Sequence, residues 1–180
     1  NSVLGGILQI ECLYYPTETW SDLKLTGLKG DVMKESMSVS KTLAWSLLTE
    51  NERNTVNDLI NENKMKGIHI HCPEGSVQKD GPSAGAAIVC VLYSLFTNKK
   101  INNTIALTGE INMQGKVTKI GGIDFKIKGG IDAGVKSFII PEENRQDYLL
   151  FEEKNVKYLK HIEIYYVENI HQVLEIILVK

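Results

Sequence analysis

Apolar and polar positions change period several times along this chain, and the changes mark its elements. Val3 to Cys12 and Leu23 to Thr26 are predicted strands on either side of a loop that holds Pro16 and Trp20. Gly30-Asp31 signals a helix start. Val32, Met33, Met37, Ser40, Ala44, Leu47 and Leu48 then recur at the spacing of one helical face. Asn51 to Asn63 is polar and reads as part helix, part loop. Ile68-His69-Ile70-His71-Cys72 alternates as a strand does and is stopped by Pro73-Glu74-Gly75. An almost unbroken apolar run predicts a buried helix from about Ser83 to Phe96, followed by a short strand at Ile105-Ala106-Leu107. Gln114-Gly115 is a predicted hairpin turn between Ile111 and Val117. After Gly121-Gly122 come a helix, a strand at Ser137 to Ile140, and, past Pro141, a helix over Glu142 to Leu150. A strand at Glu163 to Val167 and a helix at Ile170 to Leu178 complete the pattern. Strands and helices interleave without repeat, low-complexity tract or linker, so the expectation is a single mixed α/β (α+β) domain over residues 1–180 with flanking helices.

One loop stands out from this pattern. Lys79-Asp80-Gly81-Pro82-Ser83-Ala84-Gly85 carries a small serine at the point where a polar loop turns into the apolar helix. Glycines there permit close approach of a substrate backbone, and a helix N-terminus offers N–H groups to a developing oxyanion. Ser83 is therefore a candidate nucleophile, and the question becomes which residue takes its proton.

Composition narrows the class. The 180 residues are 43% hydrophobic and 23% charged, ordinary proportions for a soluble globular chain with one core. A net charge of −2 and only two arginines, Arg53 and Arg145, argue against nucleic acid as a partner and against an arginine cluster gripping phosphate. No apolar run reaches the roughly 18 residues of a membrane span, so no membrane partner is expected. The chain begins Asn1-Ser2-Val3, with neither an initiator methionine nor a signal peptide, and is expected to be a piece of a longer protein. Cys12, Cys72 and Cys90 form no C-x-x-C pair, which leaves core packing as their reading and fits a reducing compartment. His69 and His71 share a strand face and read as structural or exposed residues rather than metal ligands; no metal site is expected.

Gly81-Pro82-Ser83-Ala84-Gly85 formally matches the G-x-S-x-G elbow of α/β-hydrolases, and Asp132 with His161 or His171 follows in that class's order. That elbow requires a buried strand directly before the serine, whereas Ser76-Val77-Gln78-Lys79-Asp80 is polar loop. Gly109 to Gly115-Lys116 is a glycine-rich stretch, but five residues intervene where a phosphate loop has four, and Val117 stands where a magnesium-binding Ser or Thr belongs. Nucleotide binding within this chain is not expected.

A third pattern is ordered along the whole sequence. Leu25-Thr26-Gly27, Gly30-Asp31-Val32-Met33-Lys34-Glu35-Ser36, Pro73-Glu74-Gly75, Asp80 to Gly85, Thr108-Gly109-Glu110, Gly121 to Lys126 and Ile140-Pro141-Glu142-Glu143-Asn144 resemble the signature blocks of the proteolytic domain of Lon proteases. The resemblance implies that Ser83 is the nucleophile and Lys126 its general base, a Ser–Lys dyad. It implies a serine endopeptidase acting on unfolded or damaged proteins, intracellular, in the cytoplasm or an organelle matrix. It also implies that the parent protein is a homo-hexamer driven by an ATPase module, with ATP and magnesium bound there and no cofactor in this chain. Thr108, by the same resemblance, helps hold the lysine; a strand-end hydroxyl bonded to local backbone is the alternative. Asp80 is expected to order the serine loop through backbone N–H contacts or, in some states, to obstruct the oxyanion site. A catalytically silent assembly or substrate-binding module is the alternative from another class.

The chemistry of the pair makes its own demand. A free lysine has a pKa of about 10.4, and a base working near neutrality needs roughly 7–8. Burial and the first turn of a helix both disfavour the ammonium. Lys126, four residues after Gly122 and between Phe125 and Ile127, has the setting for both, while Lys128 reads as solvated. Two features depart from the family's pattern. Asp124 replaces a lysine and is expected to cap the helix and point away from Lys126, and Gly129-Gly130 weakens a helix interior.

Overall fold

A computed structural model describes residues 6–27, 30–73 and 81–180. Among the described residues, two three-stranded sheets and a two-stranded ribbon are packed by six helices. The first sheet has β3 (Gly67–His71) in its middle, antiparallel to β1 (Glu11–Tyr15) and parallel to β2 (Leu23–Thr26). Ile70 lies opposite both Cys12 and Leu25 in this register, so the apolar alternation of β3 sets its buried face.

The helix α1 (Asp31–Ser46) buries Met33, Met37, Ser40, Leu43 and Ala44, the expected face. Its neighbour α2 (Glu50–Asn63) is helical throughout rather than part loop. A capping box explains this. Thr49 accepts from the Glu52 amide while the Glu52 carboxylate accepts from the Thr49 amide, closing the N-terminus that a thin stripe of Val56 and Ile60 alone would leave marginal. Apolar on every side, α3 (Gly85–Thr97) runs through the larger core. It is preceded by a 3-10 turn at Pro82–Ala84, so the regular helix starts two residues later than the apolar run suggests.

The second sheet, all parallel, is ordered β4 (Ile105–Leu107), β7 (Ser137–Pro141), β8 (Glu163–Val167). Its centre divides two cores by side-chain alternation. Ile139 packs into the core around α3 and α6 (Ile170–Ile177), and Phe138 and Ile140 face a second cluster with Ile123 and Ile127 of α4 (Ile123–Asp132) and Tyr148 of α5 (Arg145–Lys154). The ribbon of β5 (Glu110–Ile111) and β6 (Val117–Thr118) surrounds the expected turn, where Gly115 has φ +82.

Two expected boundaries move. The first strand is laddered from Glu11, not Val3. Residues 6–10 are described but unpaired, Val3 to Gly5 lie outside the described residues, and the strand runs on to Tyr15 until Pro16 removes the next donor. The helix expected over Glu142 to Leu150 starts as a 3-10 turn at Glu142–Asn144 and continues as α5 to Lys154.

Candidate active site

Ser83 sits in the 3-10 turn that Pro82 opens, held between α1 and the ribbon. Gly85, two residues on, is buried where a Cβ would lie 2.8 Å from Ile111 Cγ2 and 3.1 Å from Ser36 Oγ, so only glycine lets the turn seat this deeply without displacing them. The hydroxyl of buried Ser40 donates to Gly85 O at 3.1 Å and Ser36 O at 2.7 Å, tying the turn to α1. From the other side the Gly109 amide donates to Ser83 O at 2.9 Å, and the Ala86 amide donates to Gly109 O at 3.1 Å. The nucleophile candidate is thus fixed by backbone on both flanks.

Lys126 arrives from the other core. Gly122, at φ +66, turns the chain into α4, and the Lys126 amide closes the first helical bond to Gly122 O at 3.0 Å. This places the side chain on the face pointing across the top of β4 toward Ser83. Lys126 Nζ lies 2.8 Å from Ser83 Oγ and 3.5 Å from Thr108 Oγ1. Thr108 also donates to Ser83 O at 3.3 Å, so the two roles read for it, lysine partner and backbone tether, are held by one hydroxyl. Burial pushes the Lys126 ammonium below its ordinary value of 10.5, and no charged group is among the causes.

Asp124 is a correction. The N-cap of α4 is Gly122 with no side-chain cap, so Asp124 does not cap the helix. The Gly129-Gly130 pair has a packing reason instead. A Cβ on Gly130 would meet Phe138 Cε1 at 2.4 Å, so glycine lets α4 lie against β7 closely enough to bring Lys126 to the serine. Asp80 lies outside the described residues.

Other candidates separate from the serine. Asp132 accepts from Tyr158 Oη at 3.1 Å, and both His161 and His171 are exposed; Ser83 bonds to no histidine among the described residues. His69 Nε2 and His71 Nδ1 both meet Thr26 Oγ1, at 2.9 and 2.7 Å, a structural use of the pair. Among the described residues no cluster of three potential metal ligands occurs. Burial pushes the Cys12 and Cys90 thiols up to about 12, which makes both inert at neutral pH.

Asn144 is a residue that motif chemistry did not single out. Fully buried, it donates from Nδ2 to Ile120 O at 2.9 Å and accepts at Oδ1 from the Ile120 amide at 3.0 Å. It therefore clamps the segment between β6 and Gly121-Gly122 that leads into α4. Its only sequence signal was its place in the block Pro141-Glu142-Glu143-Asn144.

Ser83, Thr108 and Lys126 open onto a cleft of about 740 Å³ whose walls include Leu8 and Ile10, Val91 of α3, and Ile105 and Leu107 of β4. A cleft of that volume is of ligand-binding size. A lowered amine in contact with a hydroxyl, at the edge of an apolar-walled cleft, can activate that hydroxyl toward an electrophilic carbonyl.

Residues 1–180 match the Lon protease (S16) C-terminal proteolytic domain. A Lon protease of Porphyromonas gingivalis is 41% identical over 175 residues, 97% of this chain and 20% of that protein. One from Methanosphaera stadtmanae is 42% identical over 143 residues, 79% of this chain and 16% of that protein. A mitochondrial Lon protease homolog of Yarrowia lipolytica is 43% identical over 151 residues, 82% of this chain and 12% of that protein. The chain thus spans a fifth or less of the length of these relatives.

Proposed function

We propose a function on one premise: the chain belongs to the Lon protease (S16) C-terminal proteolytic-domain family, and is a protease domain. In our reading it is a serine endopeptidase with Ser83 as nucleophile and Lys126 as general base. The observation that carries this is the 2.8 Å contact between Lys126 Nζ and Ser83 Oγ, made by an amine whose burial favours the neutral form.

With Lys126 neutral, its lone pair accepts the Ser83 proton as Oγ bonds to the scissile carbonyl carbon. The resulting oxyanion is met by the Ser83 amide. The amides of Gly85 and Ala86 are already engaged, since Gly85 N–H donates to Pro82 O and Ala86 N–H to Gly109 O. Collapse breaks the C–N bond, and the Lys126 ammonium returns its proton to the leaving amine. Water then attacks the acyl ester, gives a proton to Lys126, and Oγ leaves as the new carboxylate forms and recovers that proton. Thr108 orients the amine through its hydroxyl, and Asp80 orders the loop before Ser83.

The substrates we infer are unfolded or damaged proteins, threaded in the parent protein by an ATPase module that carries the ATP and magnesium. The parent is read as a homo-hexamer inside the cell, in the cytoplasm or an organelle matrix, with no nucleic-acid or membrane partner; no described helix is long and apolar enough to cross a membrane. Ser83→Ala and Lys126→Ala should each abolish cleavage of an unstructured protein while circular dichroism stays native, and a peptide boronate should modify Ser83. Retained cleavage in either variant overturns the dyad.

A further inference from the structure

A second cavity, sharing no lining residue with the cleft, opens at the far ends of α1 and α3. Its volume is about 200 Å³. Trp20, Trp45 and Phe96 form its aromatic wall, in successive edge-to-face contacts with ring centroids 5.3 and 5.7 Å apart. Ile60 and Ile68 line it further. Polar character is confined to a few positions, among them Lys41 and Lys66, and no Asp or Glu lines the space. Lys41 Nζ donates to Ser21 O at 2.9 Å, which fixes the ammonium beside the cavity with two N–H bonds left to give. Neither lysine forms an ion pair among the described residues.

We propose that this cavity is a binding site for a small aryl carboxylate, its ring enclosed by Trp20, Trp45 and Phe96 and its carboxylate met by Lys41 and Lys66. Size selects the class. Apolar cavities of about 150 Å³ take up a benzene ring, whereas nucleotides and drug-sized ligands need roughly 300 Å³ or more. One ring with a short chain fills this space. Edge-to-face geometry suits the ring, and two uncompensated ammonium groups select an anion over its neutral isostere. The site stands apart from the serine chemistry and does not depend on it.

The chain's only two tryptophans both line this cavity, so intrinsic fluorescence reports on it directly. Titrating the 180-residue chain with 3-phenylpropionate, excited at the tryptophan red edge, should give a saturable change with a Kd of roughly 1 mM or below. 3-Phenylpropionamide should bind at least ~5-fold more weakly, and Lys66→Gln should weaken the acid by a similar factor while leaving the amide unchanged. Lys66→Gln changes an exposed-side polar group and should keep the native circular dichroism and peptide cleavage. Thr42→Phe, which obstructs the cavity from α1, should remove the saturable change for both ligands. No saturable change with the acid, equal binding of acid and amide, or an acid affinity untouched by Lys66→Gln would overturn the proposal.

Discussion

At the scale of single residues, Lys126, the proposed general base, is held under conditions unfavourable to its charged form. Burial lowers its pKa from 10.5, so in the window between its folded value and 10.5 the unfolded chain carries a proton that the folded chain has released. Folding stability contributed by this group therefore rises with pH across that window and is lowest below it. Two outcomes follow from the sign. Peptide cleavage should increase with pH along a single ionisation whose midpoint lies below 10.5, measured as kcat/KM with the fold monitored in parallel. Lys126→Met should be inactive yet more stable at neutral pH, a rise in Tm that diminishes toward alkaline pH. Asn144 illustrates the opposite bargain. Its side chain satisfies both backbone groups of Ile120, so Asn144→Ala leaves a buried donor and acceptor unpaired, and should cost about 2–3 kcal/mol by denaturant unfolding. Because that clamp leads into α4, kcat should fall as well.

At the scale of elements, what matters is how closely helices approach sheets and turns. Gly130→Ala introduces a Cβ 2.4 Å from Phe138 Cε1, and must push α4 off β7 or rotate the phenyl ring. A loss of about 1–3 kcal/mol with a larger fall in cleavage is expected, since Lys126 rides on the displaced helix. Thr49→Ala is the contrast. It removes the capping box of α2 and should cost about 1 kcal/mol by thermal unfolding with cleavage unchanged, because α2 touches neither Ser83 nor Lys126. The elements themselves were largely legible. The α1 face, the alternation of β3, the apolar run of α3 and the Gln114-Gly115 turn all lie where periodicity puts them. The misreadings share a cause. Polar α2 is held by caps rather than by a broad apolar stripe, and the apolar residues 6–10 line a cleft instead of pairing in a ladder, so hydrophobic pattern alone misjudges both.

At the scale of the whole molecule, two cores share one strand. Ile139 belongs to one and Phe138 and Ile140 to the other, and the serine turn and the lysine helix come from opposite sides of that division. The Ser83–Lys126 contact therefore forms only when both cores have packed, which makes it a report on complete folding. In the glycine-rich stretch Gly109 to Gly115, Gly109 makes a buried close approach and Gly115 a hairpin turn. ATP with magnesium should accordingly change neither the Tm nor the rate of peptide cleavage by this chain; stimulation by ATP would contradict the assignment of the motor to the rest of the parent protein.

The sequence by itself determined the class of architecture, the position of the serine loop and, through ordered blocks of residues, which lysine to examine. These signals are read along the chain: period and turn chemistry within a few residues of where they act, and motif order over the sequence as a whole. It could not determine that Asp124 leaves the helix uncapped, that Gly130 is required by Phe138, that Asn144 holds the approach to α4, or that Trp20, Trp45 and Phe96 enclose a cavity. Each of these depends on contacts between segments distant in the chain, and only tertiary packing brings them within reach of one another. The same holds for Lys126. The resemblance singled it out, but the burial that lowers its pKa and the 2.8 Å contact that gives the amine a partner exist only in the folded chain.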